Sequence, residues 1–217
     1  MERTVVITGA TTSFAPHVAR AFASDGAHVV IGGRNRAVVV DLADAIEADG
    51  GTATPERADA RDEFDVERLM ESASRAGDGI DVVVPAAVVV HDTLGTTGLQ
   101  ATSYSAYDDS MRTNARGVYT AVKEAVPHLE DGARVVVPVS VPGEDAELGT
   151  FGASQVARIG IVERYAADLP IPVGAVDVGA PTADEEALDA AADLVRWAST
   201  VDDERLDGAV VGPDDRD

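Results

Sequence analysis

Residues 3–35 read RTVVITGATTSFAPHVARAFASDGAHVVIGGRN. The opening run, 3–8, is almost continuously apolar and β-branched and stops at Gly9, which predicts a strand buried on both faces. Residues 13–25 carry apolar positions at helical spacing, and Gly26 follows as a helix stop. A second apolar run, 27–32, predicts the next strand. Strand, glycine turn, helix and strand in this order form a right-handed crossover between parallel strands. The alternation continues to the end of the chain. Helices are predicted at 36–49, 63–76, about 104–130, 152–168 and 184–199, and strands at 52–58, 80–86, 133–140, 171–178 and 207–212. Seven mostly parallel strands with helices on both faces make a doubly wound α/β sheet. Repeats, low-complexity segments and long linkers are absent from the sequence. Residues 1–217 therefore read as one domain, with the last few residues a solvated acidic tail.

Composition narrows the setting. The 217 residues carry 39 acidic and 17 basic side chains, a net charge of −22, and a single lysine, Lys123. Self-repulsion of that size is costly in dilute salt. In molar salt the Debye length shrinks to about 3 Å and the repulsion is screened. The Asp-rich, Lys-poor, small-apolar composition therefore suggests a salt-filled cytoplasm, such as that of a halophilic archaeon; an acidic partner-binding surface is the alternative. The composition argues against nucleic acid as a partner, since no basic patch exists to displace phosphate counterions. No run of about 18 uninterrupted apolar residues predicts a membrane span. The N-terminus enters a strand pattern at once, as a cytoplasmic protein without a secretory leader would. With no cysteine and with His17, His28, His91 and His128 scattered, no metal site is expected.

The first strand–helix turn, TGATTSFAP (8–16), is where a dinucleotide fold needs glycines for a tight turn and for backbone approach to a pyrophosphate. From Val5 to about Val211 the chain resembles the short-chain dehydrogenase/reductase family, whose fold is the doubly wound Rossmann type. Thr8 and Gly9 match the opening of the family's TGxxxGxG, while Ser13 and Ala15 stand at its second and third glycines. YDDSMRTNARGVYTAVKEAVPHL (107–129) is similar to the family's interface helix, with Asn114 at its asparagine. ARVVVPVSVPG (133–143) resembles the strand ending in the active-site serine, here Ser140. PVGAVDVGAPT (172–182) resembles the turn that keeps Gly179 and Thr182.

At residues 151–155, FGASQ falls where the family has YxxxK. The resemblance implies that Phe151 replaces the catalytic tyrosine and Gln155 the catalytic lysine. A tyrosine titrates near pH 10 and needs a neighbouring cation to exchange protons at neutral pH. Phenylalanine has no proton to give, and glutamine has no charge to lend. Loss of a positioned acid–base group costs about 10²–10⁴ in rate. Asn114 and Ser140 are retained positions that orient groups.

The cofactor side implied by the resemblance comprises Thr8, Gly9, Thr11, Thr12, Ser13, Phe14, Arg34, Asp59, Ala86, Ala87, Gly179 and Thr182. The family's NNAG is PAAV here; Pro85 lacks an amide donor, and Val88 brings a branched side chain to bare backbone. Arg34 matches NADP-preferring members or is a solvated arginine. Asp59 matches the adenine-side aspartate or is one more surface acid. The segment that closes over substrate in the family is missing after Thr182. Tyr104, Tyr107 and His91 could approach the site or only pack nearby.

Two functions from different classes follow. The first is a non-catalytic nucleotide-binding or oligomeric-partner module, taking NADP(H) weakly or no cofactor. The alternative is an NADP-dependent carbonyl or alcohol oxidoreductase with a rearranged site, in which Ser140 and a water or Tyr104 supply the proton. The family implies a homodimer or homotetramer, or a hetero-oligomer with an active paralogue. Its interface is expected on apolar stripes such as Val118, Ala121, Val122 and Ala125, and Val156, Ile159 and Val162, unless these face only the sheet.

Overall fold

The computed structural model describes residues 3–91, 94, 97–141, 148–180 and 184–216. Seven strands form one sheet: β1 (Thr4–Thr8), β2 (His28–Gly33), β3 (Thr52–Arg57), β4 (Ile80–Pro85), β5 (Leu129–Val139), β6 (Val173–Asp177) and β7 (Val210–Val211). Their order is β3-β2-β1-β4-β5-β6-β7, and every pairing is parallel. Every residue of β1 is buried, as its continuous Thr-Val-Val-Ile-Thr run dictates for a strand covered on both sides.

Two apolar layers sandwich the sheet. Helices α1 (Ala15–Ser24), α2 (Arg36–Ala48) and α7 (Glu185–Ala198) bury Val18, Phe22, Val39, Ile46 and Val195 on one face. Helices α3 (Glu63–Gly77), α5 (Arg116–Ala125) and α6 (Gly149–Asp168) bury Val66, Leu69, Val118, Val122 and Val162 on the other. Side chains open several helices. Asn35 Oδ1 accepts from the Ala37 amide at 3.1 Å, Asp62 Oδ1 from Asp65 at 3.0 Å and Asp184 Oδ1 from Ala187 at 3.0 Å, satisfying donors that a helix start leaves free. No helix among the described residues is long and apolar enough to cross a membrane.

The region predicted as one long helix over 104–130 is broken. An α-helix, α4 (Tyr104–Ser110), passes into a π-helical turn (Met111–Ala115) before α5, and a short 3₁₀ turn (Val126–His128) ends the run. A π turn re-aims side chains and recurs at functional sites; here it carries Asn114. The fifth strand starts at Leu129, earlier than predicted, with a register shift against β4 between Ile80 and Val82. The last strand is reduced to two residues, and a short helix, α8 (Asp203–Leu206), precedes it.

The predicted interface stripe also needs correction. Val118, Ala121, Val122, Ala125 and Val162 are buried against this chain's own sheet, and Ile159 packs partly on that layer. Of that set only Val156 is exposed, at 60%. Exposed Tyr119 on α5 stacks on partly buried Tyr165 of α6, with centroids 6.2 Å apart, and Lys123 lies 5.8 Å above the Tyr119 ring.

Candidate functional site

The strand order reverses between β1 and β4, and the crevice beyond their C-terminal ends is where doubly wound sheets bind ligands. Gly9 sits in the turn after β1 at φ +85°, and a Cβ there would lie 2.5 Å from the Ala87 Cα and 2.6 Å from its amide nitrogen. Only glycine lets the two loops approach this closely.

Two clefts occupy the crevice. The outer one, about 320 Å³ to its open mouth, is lined by Gly9, Thr11, Thr12, Arg34, Asp59, Ala87 and Val88, among others. The inner one, about 480 Å³ to its open mouth, is lined by Thr12, Ser13, Phe14, Ala86, Val88, Ser140, Phe151, Gln155, Arg158, Val178 and Leu188, among others. Thr12 and Val88 line both and stand between them. Most of the sequence-predicted set is thus brought together. Thr8 lines neither cleft; it is buried in β1, and its hydroxyl has no hydrogen-bond partner. Gly179, at φ +71°, lies beside a separate groove near α7. Thr182 lies outside the described residues.

The pyrophosphate end of the turn is poor in donors. Thr12 Oγ1 takes the Ala15 amide at 3.2 Å, Pro16 has none, and the His17 amide bonds back to the Phe14 carbonyl at 3.0 Å. Three of the amides that a helix start offers an anion are therefore unavailable. Asp59, expected on the adenine side, is also occupied. Arg61 grips both Asp59 oxygens, with Nε at 3.0 Å and Nη2 at 2.8 Å, and reaches Asp109 at 3.1 Å. The Arg61 guanidinium holds the Asp59 carboxyl below its usual range despite partial burial. His91 Nε2 lies 2.8 Å from Asp109 Oδ2, at the outer end of this chain of charges. Arg34 makes no ion pair among the described residues and stays available to the outer cleft. Of these residues Arg34 is the one left open to fit a phosphate of a dinucleotide.

The inner cleft holds Ser140, Phe151 and Gln155 together. Phe151 is 2% exposed. Gln155 Oε1 accepts the Ser140 amide at 3.1 Å, and its Nε2 is buried without a partner. Asn114 is fully buried behind the cleft rather than lining it. Its Oδ1 accepts from the Val89 amide at 2.7 Å, and its Nδ2 donates to the Val89 carbonyl at 3.0 Å and Ser154 Oγ at 2.9 Å. Asn114 therefore pins the loop after β4 to α6. Tyr104 is 92% exposed and lines neither cleft, which removes it as a proton donor.

The sequence reading did not single out Arg158. It is 2% exposed and sits one turn beyond Gln155 on α6. Nη1 donates to the carbonyls of Ala87 (3.0 Å) and Asn114 (3.1 Å), and Nη2 to those of Pro85 and Pro138 (both 2.7 Å). No acidic side chain pairs with it among the described residues. Burial pushes its pKa down to about 10, which leaves it a cation at neutral pH. A cation therefore remains in the cleft, but it is committed to backbone carbonyls. Phenylalanine at 151 leaves that charge no acidic proton to activate.

The short chain dehydrogenase family model matches residues 3–181. This chain belongs to the short-chain dehydrogenase family. It is similar to the human hydroxysteroid dehydrogenase-like protein 2, at 33% identity over 134 residues, covering 58% of this chain and 31% of that protein; the match spans about a third of that relative's length. Among solved structures it is similar to a dehydrogenase/reductase from Sinorhizobium meliloti 1021, with a TM-score of 0.83 and 25% identity over 98% of this chain and 94% of that one. A metagenomic short-chain oxidoreductase in complex with NADP superposes with a TM-score of 0.81 at 22% identity, over 97% of this chain and 96% of that one. Among the described residues no cluster of three His, Cys, Asp or Glu could hold a metal.

Proposed function

We propose that this short-chain dehydrogenase family member is non-catalytic: a nucleotide-binding or oligomeric-partner module, formed by one domain. The observation that carries this reading is the pairing in the inner cleft of buried Phe151 with Gln155, whose Oε1 is spent on the Ser140 amide. The proton relay that family members place there has neither an ionisable hydroxyl nor a lysine.

NADP(H) is the cofactor such a crevice would take, and weakly. Its nicotinamide ring would supply hydride chemistry, and its phosphates would serve only to hold it. Here Arg34 would meet a 2′-phosphate and the Gly9 turn would pass under the pyrophosphate. Against tight binding stand the depleted donors of α1 and the Val88 side chain between the clefts. Calorimetry with NADPH and NADH tests this. Weak binding biased to NADPH is expected, and equal sub-micromolar binding of both would overturn it.

The second reading is an NADP-dependent carbonyl or alcohol oxidoreductase with a rearranged site. Arg158, a cation one turn from Gln155, and the Ser140 hydroxyl favour it. An unperturbed serine hydroxyl is a poor acid at neutral pH, so the first reading is preferred.

Assembly through the exposed surface of α5 and α6, with Tyr119 and Val156, is supported by family resemblance and by those exposed apolar side chains. A homodimer, a homotetramer or a hetero-oligomer with an active paralogue would each use it. The acidic, lysine-poor composition supports a salt-rich cytoplasm such as a halophilic archaeon's.

A further inference from the structure

The inner cleft contains a positive charge and surplus donors. Arg158 has five N–H groups; four are spent on carbonyls, and Nε is buried without a partner. Gln155 adds two more unspent N–H groups on Nε2, also buried. The two side chains lie three residues apart, on the same face of α6, and both line the cleft. An unsatisfied buried donor costs about 1–3 kcal/mol. A buried ion is ordinarily paired, yet among the described residues no carboxylate pairs with this guanidinium. The remaining walls are chiefly apolar, among them Phe14, Val88, Val139, Phe151 and Leu188.

We propose that the inner end of this cleft is a receptor for a carboxylate carried on a small apolar body. A carboxylate is acceptor-only and matches a site whose unspent groups are donors. Its oxygens would take the Gln155 Nε2 protons, its charge would be balanced by Arg158, and its body would replace water along the apolar wall. The proposal goes beyond the non-catalytic reading and does not depend on cofactor binding. A chloride ion shares the acceptor-only chemistry but leaves the apolar wall unfilled.

The test is titration of the full chain, without nucleotide, by ligand-observed NMR or calorimetry at fixed ionic strength. The probes are benzoate, its neutral isostere benzamide, and benzoate with potassium chloride replaced by potassium fluoride. Benzoate is expected to bind at least tenfold more tightly than benzamide, although the chain's net charge of −22 repels anions. Gln155→Glu keeps the side-chain shape and the acceptor for the Ser140 amide but places a carboxylate beside Arg158. It is expected to weaken benzoate at least tenfold and raise the melting temperature. If that variant does not fold, the benzoate-to-benzamide ratio of the wild type decides. Equal binding of the two probes, no benzoate binding at millimolar ligand, or unchanged benzoate affinity in a folded Gln155→Glu would each overturn the proposal. Benzoate affinity that appears only in fluoride would also overturn it, by assigning the site to chloride. Failure here leaves the NADPH and turnover experiments untouched.

Discussion

Replacing Arg158 with methionine removes the charge and all five donors while keeping much of the volume. Four hydrogen bonds of 2.7–3.1 Å are lost, to carbonyls at the ends of β4 and β5, in the loop after β4 and in the π turn. Hydrogen bonds to charged groups contribute about 1.5–3 kcal/mol each, a gross loss of about 6–12 kcal/mol. Against this, releasing a buried, uncompensated ion recovers several kcal/mol. The net expectation is a destabilisation of about 2–5 kcal/mol. For a chain of this size that lowers the melting temperature by about 4–20 °C. Arg158→Lys keeps the charge but has three donors for four carbonyls, and should fall between the two. Thermal unfolding followed by circular dichroism at molar salt provides the assay. An unchanged or higher melting temperature in Arg158→Met would refute the view that this guanidinium fastens the strand ends together.

Three further expectations concern charge and assembly. The melting temperature should fall steeply as potassium chloride is reduced well below molar, because 39 acidic groups lose their screening; a flat profile would contradict the halophilic reading. Asp65 is buried, which alone would raise its pKa, yet Arg68 at 2.6 Å, the Asp59 amide at 3.0 Å and Arg57 at 2.5 Å hold it below the usual range. A depressed carboxylate stabilises the fold fully above its unfolded pKa and loses that contribution as pH falls through the lower folded value. Asp65→Asn should therefore cost about 2–12 °C at neutral pH and flatten the loss of stability below about pH 4; an unchanged acid limb would assign that limb elsewhere. Light scattering at molar salt should report a dimer or larger, with Val156→Asp shifted toward monomer, whereas a monomeric wild type would remove the interface.

The centre of the sheet was legible because β1, β2 and β4 are Val/Ile runs closed by a glycine or proline, and periodicity separates these from the amphipathic helices. The break at Met111–Ala115 was not legible: a π turn keeps helical spacing to within one residue, so MRTNA reads like ordinary helix. The interface stripe failed for a related reason. Val118, Ala121, Val122 and Ala125 form an apolar face at helical period, and period does not say whether that face meets the sheet or a second chain. FGASQ could be placed in the crevice by its order among the motifs, since Ser140 and Gln155 are brought into contact through the chain's own topology. Arg158 escaped notice although a signal existed. Residues 151, 155, 158 and 162 share one helix face, and with Phe151 and Val162 buried on it, the arginine between them had to be buried as well.

The central claim is that the crevice has lost proton transfer while keeping its fold. Its most direct test is NADPH oxidation by the purified wild-type protein at molar salt, with a panel of aliphatic, cyclic and aromatic ketones and aldehydes. The account predicts no carbonyl-dependent rate above background for any of them, at a cofactor concentration where calorimetry shows saturation or the highest attainable occupancy. Turnover in the ordinary enzymatic range, about 1–10³ per second, on any one carbonyl would contradict it.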